Sequence, residues 1–233
     1  MREINKMTFY EAMEEGHASI DSEDYSAAID LFTRAIELQS EYASAHLHRG
    51  LAHYNLDEPS EALRDLTRAV ELDPSYAEAY SWRGVLFFDL ERYEEALSDL
   101  NQAMELDPED PLSYLYRAYI NSVTEQYEEA IRDYTRVIER SPEFARAYLN
   151  RGTTYSKIRR LGEAIRDYSA VIEMQPGNAL AFFNRAVAYH DLGQLDDVVK
   201  DLTQVIDLDP ENDLARRLLG ETLDELNKAN TRK

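Results

Sequence analysis

The chain has 233 residues, 44% of them apolar, enough to bury a sizeable core. Its 46 acids against 25 bases leave a formal charge of −21, which argues against binding nucleic-acid phosphates and favours basic partners. The absence of cysteine excludes disulfides and thiolate metal sites; Met1 to Tyr10 holds no apolar run suited to a signal peptide, and no stretch approaches the ~18 apolar residues of a membrane span, so no membrane insertion and a cytoplasmic location are expected.

One period organises the rest. Ala28, Ala62, Ala96, Ala130 and Ala164, then Val198, recur at a spacing of 34. Gly16, Gly50, Gly84, Gly152 and Gly220 share a second phase, with Ala118 and Ala186 in its other slots, and Pro74, Pro108, Pro142, Pro176 and Pro210 share a third. After a lead-in over 1–8, the spacing predicts six repeats, at 9–42, 43–76, 77–110, 111–144, 145–178 and 179–212, then a helix at 213–229 and a tail at 230–233.

The first repeat departs from the others in placing Ser40 at the proline position. In the second, Leu63, Leu66 and Val70 with Ala62, Ala69 and Leu72 mark an amphipathic helix of roughly four turns, preceded by another helix. The small residue at the eighth position of a repeat lets two helix backbones approach closely, and the proline, lacking an N–H, cannot continue the helix it ends. Each repeat is therefore predicted to be a helical hairpin. The fourth is the least regular: Asn121 and Arg140 stand where neighbouring repeats have aromatic and aliphatic residues, so looser packing and local flexibility are expected there. One hairpin cannot bury both its faces, so neighbours must stack and the last needs a cap; 213–229, with Leu218, Leu219, Leu223 and Leu226 inward, suits that role.

Repeats two to six carry Arg at the seventh position (Arg49, Arg83, Arg117, Arg151, Arg185) and Asp at the twenty-third (Asp65, Asp99, Asp133, Asp167, Asp201), whereas repeat one has neither. Pairing within each repeat leaves no orphan, while pairing with the preceding repeat would strand Arg49 and Asp201. Ion pairs within repeats are expected, fixing helix register more than adding net stability.

Tyr80, Arg83, Gly84, Phe87, Ala96, Leu100, Ala103 and Pro108 fall in the signature phases of the tetratricopeptide repeat family, which the chain resembles over most of its length. The resemblance implies an all-α fold, a right-handed superhelical α-solenoid of antiparallel helix pairs, and a non-catalytic scaffold or adaptor role. It also implies that the first helix of each hairpin lines a concave groove with its second, fifth, sixth, ninth, twelfth and thirteenth positions. In chain order these supply Leu47, Leu51 and Tyr54, then Trp82, Val85 and Phe88, then Leu112, Leu115, Tyr116 and Tyr119. The fifth and sixth repeats add Leu149, Asn150, Leu180, Phe183, Asn184 and Val187. So apolar and aromatic a surface fits a peptide or amphipathic helix of a protein partner, with Trp and Tyr as preferred anchors. Asn150 and Asn184 share the sixth position, where related repeats set an amide against peptide groups.

The family's clamp for a C-terminal carboxylate is not matched: its phases read Ser81, Val85, Tyr116, Arg146 and Asn150, or Leu115, Tyr119, Asn150, Leu180 and Asn184. Repeats one and three each carry a charge of −8, whereas repeat five carries +3. Its Arg146, Lys157, Arg159 and Arg160 could hold an acidic part of the partner, or complement the end of a first helix without any ligand. No phosphate-cradling glycine loop appears, and His17, His46, His48, His53 and His190 show no metal-ligand spacing, so no cofactor and no metal are expected. Two further readings compete with the adaptor: a homo-oligomerising structural module, and an accessory domain serving an enzyme in another chain.

Overall fold

A computed structural model describes residues 7–230; the first six residues of the lead-in and the last three of the tail lie outside the described residues. Among the described residues there are thirteen helices and no strand. They are α1 (Phe9–Asp21), α2 (Tyr25–Leu38), α3 (Ala43–Asn55), α4 (Pro59–Leu72), α5 (Ala77–Asp89), α6 (Tyr93–Leu106) and α7 (Pro111–Val123), followed by α8 (Tyr127–Arg140), α9 (Ala145–Lys157), α10 (Leu161–Met174), α11 (Ala179–Asp191), α12 (Leu195–Leu208) and α13 (Asp213–Asn230). The odd-numbered helices begin 34 residues apart, from Phe9 to Asp213.

Local chemistry sets the ends of these helices. Thr8 and Glu11 form a reciprocal capping box at α1, and the side chains of Asp24 and Asn178 accept the orphan amides of Ala27 and Ala181 at α2 and α11. At α7, Asp110 accepts from the amides of Leu112 and Ser113, and Pro111 opens the helix where an N–H would have no partner. Each hairpin turns through one left-handed residue: Glu23, Asp57, Glu91, Glu125, Arg159 and Gly193, with φ from 56° to 71°. The amide after each bonds a carbonyl five residues back, as in Glu58 to His53 at 3.0 Å and Arg92 to Phe87 at 2.8 Å. Only Gly193 adopts this conformation without a Cβ penalty.

The chain divides into two compact units, Met1–Ile120 and Asn121–Lys233, with the boundary inside the irregular fourth repeat. In the first unit α1 packs on α2, α3 on α4 and α5 on α6, and neighbouring pairs meet through α2 with α3 and α4 with α5. In the second unit α9 packs on α10 and α11 on α12, with α8 against α9, α10 against α11 and α12 against α13.

The recurrent alanines and Val198 are all fully buried. The recurrent glycines explain how close the paired helices run. A Cβ on Gly16 would lie 2.7 Å from the Phe32 ring, one on Gly84 2.8 Å from Leu100, and one on Gly152 2.9 Å from the Tyr168 ring. Gly220 on α13 meets nothing. Leu218 and Leu219 pack against the cluster of Phe182, Val198, Leu202 and Val205, but Leu223, expected inward, is 43% exposed. In the second unit Asn121 is buried and donates toward Asp133, 3.5 Å away, so a polar contact occupies the slot that holds a ring in repeats two, three, five and six.

Candidate functional site

The first helices of repeats two, three, five and six are tied to their hairpins by the arginine at the seventh position. Arg49 donates to both Asp65 oxygens at 2.7 Å, and the same fork joins Arg83 to Asp99, Arg151 to Asp167 and Arg185 to Asp201 at 2.6–2.9 Å. Such bidentate pairs are directional as well as charged. The third donor reaches the preceding repeat. Arg49 donates to Thr33 at 3.0 Å, Arg117 to Asn101 at 2.7 Å, Arg151 to Thr135 at 2.9 Å and Arg185 to Ser169 at 2.8 Å. Pairing within a repeat and bonding to the previous one are therefore not alternatives, since the guanidinium has donors for both. The signal was present in the sequence: Thr33, Thr67, Asn101, Thr135, Ser169 and Thr203 form a 34-residue ladder of hydroxyls and one amide.

Around Asp65 this node gathers two histidines. His46 and His53 are buried, with ring nitrogens 3.6 and 3.9 Å from the Asp65 oxygens. Burial pushes the Asp65 carboxyl up, but Arg49 and His46 outweigh it and hold it below the usual carboxylate range.

In the first unit, the first-helix positions assigned to the groove separate into two depths. Leu47 and Val85 are 0% exposed and Leu115 is 7% exposed, so these three belong to the core and not to an open face. Leu47 packs with Ala62, Leu66 and Ala79, while Val85 is a short side chain between the larger Trp82 and Phe88 one turn away on either side. Leu51, Tyr54, Trp82, Phe88, Leu112, Tyr116 and Tyr119 are half-buried. Their rings form two groups: Tyr54 lies 6.1 Å from Trp82, and Phe88 lies 5.3 Å from Tyr116 and 5.9 Å from Tyr119. Tyr116 and Tyr119 meet edge to face at 5.4 Å.

Two groups that the sequence reading did not single out complete this face. The Tyr54 hydroxyl donates to Asp89, and burial together with that bond drives the phenol far above its ordinary range. Tyr54 and Asp89 also line a cleft of about 440 Å³ with Asn55, Asp57, Pro59, Leu86 and Leu90. Farther along, His48 packs against His17 at 4.3 Å and Phe32 at 5.6 Å. Burial, reinforced by the nearby His17, lowers the His48 pKa to about 4.

The second unit differs. Leu149, Asn150, Phe183 and Asn184 are half-buried, while Leu180 is 55% and Val187 39% exposed. Leu149 packs in a small cluster with Ala145, Val171 and Ala181. Lys157, Arg159 and Arg160, assigned to an acidic ligand, meet groups within the chain. Lys157 sits 5.5 Å over the Tyr127 ring, Arg159 pairs with Asp191, and Arg160 donates to Glu163 at 2.9 Å while stacking on Tyr155 at 4.6 Å. Arg146 is exposed near the start of α9. Among the described residues, no group of three or more His, Asp or Glu could hold a metal ion, and no helix is long and apolar enough to cross a membrane.

No curated protein matches the chain. Among solved structures it is similar to YrrB, described as a tetratricopeptide repeat protein with an unusual peptide-binding site, at 28% identity and a TM-score of 0.71, over 80% of this chain and 96% of that one. It shares its fold with PilF of Pseudomonas aeruginosa, at 17% identity and a TM-score of 0.79 over 90% and 96% of the two chains. It also shares it with MamA of Desulfovibrio magneticus RS-1, at 19% identity and a TM-score of 0.68 over 74% and 97%. A family model described as Tetratricopeptide repeat matches residues 52–111, 123–155 and 149–202, and a second, described as TPR repeat, matches residues 16–57. With its paired helices, its 34-residue phase and more than half its length matched, the chain belongs to the tetratricopeptide repeat family.

Proposed function

We propose that the chain is a non-catalytic adaptor that holds a peptide or amphipathic helix of another protein on the inner face of its first unit. The observation that carries this reading is the set of half-buried rings on α3, α5 and α7, from Tyr54 and Trp82 to Phe88, Tyr116 and Tyr119. An aromatic surface of this kind gains most by being covered, and rigid rings cost little side-chain entropy when a ligand orders them. YrrB, whose description names a peptide-binding site, lends the reading a structural parallel.

Phage-displayed peptides selected against the full chain test it, because Trp82 is the only tryptophan and reports on this face. Selected peptides should shift its emission and lose at least about tenfold in affinity, roughly 1.4 kcal/mol, on Leu51→Glu or Tyr116→Glu. Binders indifferent to both changes would overturn the reading.

A second reading, self-assembly, draws on α13. At Gly16, Gly50, Gly84 and Gly152 a large side chain of the following helix fills the space over the glycine, whereas Gly220 is open and Leu223 beside it is 43% exposed. A helix of a second copy could occupy that face, and sedimentation across a concentration range separates the two readings.

A further inference from the structure

The charge of the chain is concentrated on one unit. Residues 1–120 carry nine bases and 26 acids, a charge of −17, leaving only −4 for residues 121–233. Among the described residues the first unit has no lysine, and its arginines avoid the inner positions. Arg49 and Arg83 are tied to Asp65 and Asp99, Arg34 to Glu37, Arg68 to Glu41 and Arg92 to Glu95, Arg117 donates to Asn101, and Arg64 lines a groove with His46, Leu63 and Thr67. Among the described residues, the inner positions of this unit therefore hold aromatic rings and carboxylates but no lysine or arginine.

Resting on the reading of the inner face as a peptide-binding site, we infer that its occupant is a basic segment of a partner protein, with apolar residues against the rings and an arginine or lysine side chain in the cleft between Asp57 and Asp89. The cleft has the two surfaces such a side chain needs. Pro59, Leu86 and Leu90 are apolar lining residues suited to the aliphatic stem, and Asp57 and Asp89 are acidic lining residues suited to its charged end. The Tyr54 hydroxyl fixes one Asp89 oxygen and leaves the other oxygen's lone pairs as acceptors for a cationic donor. Tyr54 lines the cleft and also meets the Trp82 ring, so one bound segment can use cleft and rings together. Guanidinium and ammonium groups are also attracted to the faces of Trp and Tyr rings, whereas an acidic segment would meet like charge across the whole unit.

The test uses the full chain and two fluorescein-labelled amphipathic peptides with the same leucine face, one with Lys and Arg on its polar side and the other with Glu. The basic peptide should bind at least about tenfold tighter and weaken as salt is raised. Neutralising Asp57→Asn with Asp89→Asn should weaken it about five- to tenfold, whereas Glu94→Gln with Glu105→Gln, an equal charge change at exposed sites on α6, should leave it within about twofold. Equal weakening by both pairs of substitutions would show attraction to an acidic surface at large and overturn the inference. Equal binding of the two peptides, lost on Tyr116→Glu, would overturn the inference while leaving the groove reading intact. Failure of both peptides to bind would overturn the inference too, and the phage selection then judges the groove independently.

Discussion

The two units share one set of packing rules and differ in what they place on top of them. In both, alanine or valine occupies the close crossing, an arginine and aspartate fork ties the hairpin, and a left-handed residue turns it. The inner positions diverge. The first unit offers Trp82, Phe88, Tyr116 and Tyr119 with surrounding acids, whereas the second offers Asn150, Thr153, Ser156 and Asn184 with Leu180 and Val187 exposed. What a repeat needs to stack is thus separate from what its first helix leaves at the surface, and only the former is periodic.

The comparison breaks most sharply at the buried forks. Removing one partner strands a buried charge, so Asp99→Ala should cost about 3–5 kcal/mol, and Asp167→Ala a similar amount. Trp82 fluorescence follows the first unit alone, whereas circular dichroism follows both. If the units unfold separately, Asp99→Ala lowers the midpoint of the Trp82 transition, and Asp167→Ala lowers only the helical signal. A Trp82 midpoint lowered equally by both would mean that the chain unfolds as one.

Acid should also tell the units apart. The folded pKa of His48, about 4, lies below its ordinary value near 6.5, so the folded state favours the neutral ring. Its contribution to stability is complete above about pH 6.5 and is lost as the pH falls toward 4, because the unfolded chain takes up the proton first. Allowing for partial solvent screening, the loss is on the order of 2 kcal/mol. In denaturant titrations monitored at Trp82, His48→Gln should flatten the decline between pH 6.5 and 4. An unchanged slope would remove His48 as its source.

The smallest expected effect sharpens the difference within one sequence phase. Gly220→Ala adds a methyl into open space on a helix and should stabilise α13 by up to about 1 kcal/mol, measurable by thermal unfolding. The same change at Gly84 presses on Leu100 and should have the opposite sign.

Most of the architecture was legible because packing repeats every 34 residues: the alanine ladder is fully buried, and the predicted arginine and aspartate forks form at repeats two, three, five and six. The depth of the inner face was not legible. Leu47, Val85 and Leu115 sit in the phases expected of a groove, but how far a side chain emerges depends on the size of its neighbours in space, which differs from repeat to repeat. The acidic cleft escaped notice for a related reason. Asp57 stands in a turn and Asp89 closes a helix, and only the folded chain brings them round Tyr54.

The arginine that bonds both its own hairpin and the previous one makes the junctions interchangeable. Excising residues 145–178 in phase would place Arg185 after Thr135, a hydroxyl like the Ser169 it bonds now, so the new seam would present the same donor and acceptor chemistry as the old. Array length is then set by how many such seams are strung together, and whole repeats can be gained or lost without changing the donor and acceptor chemistry of this bond.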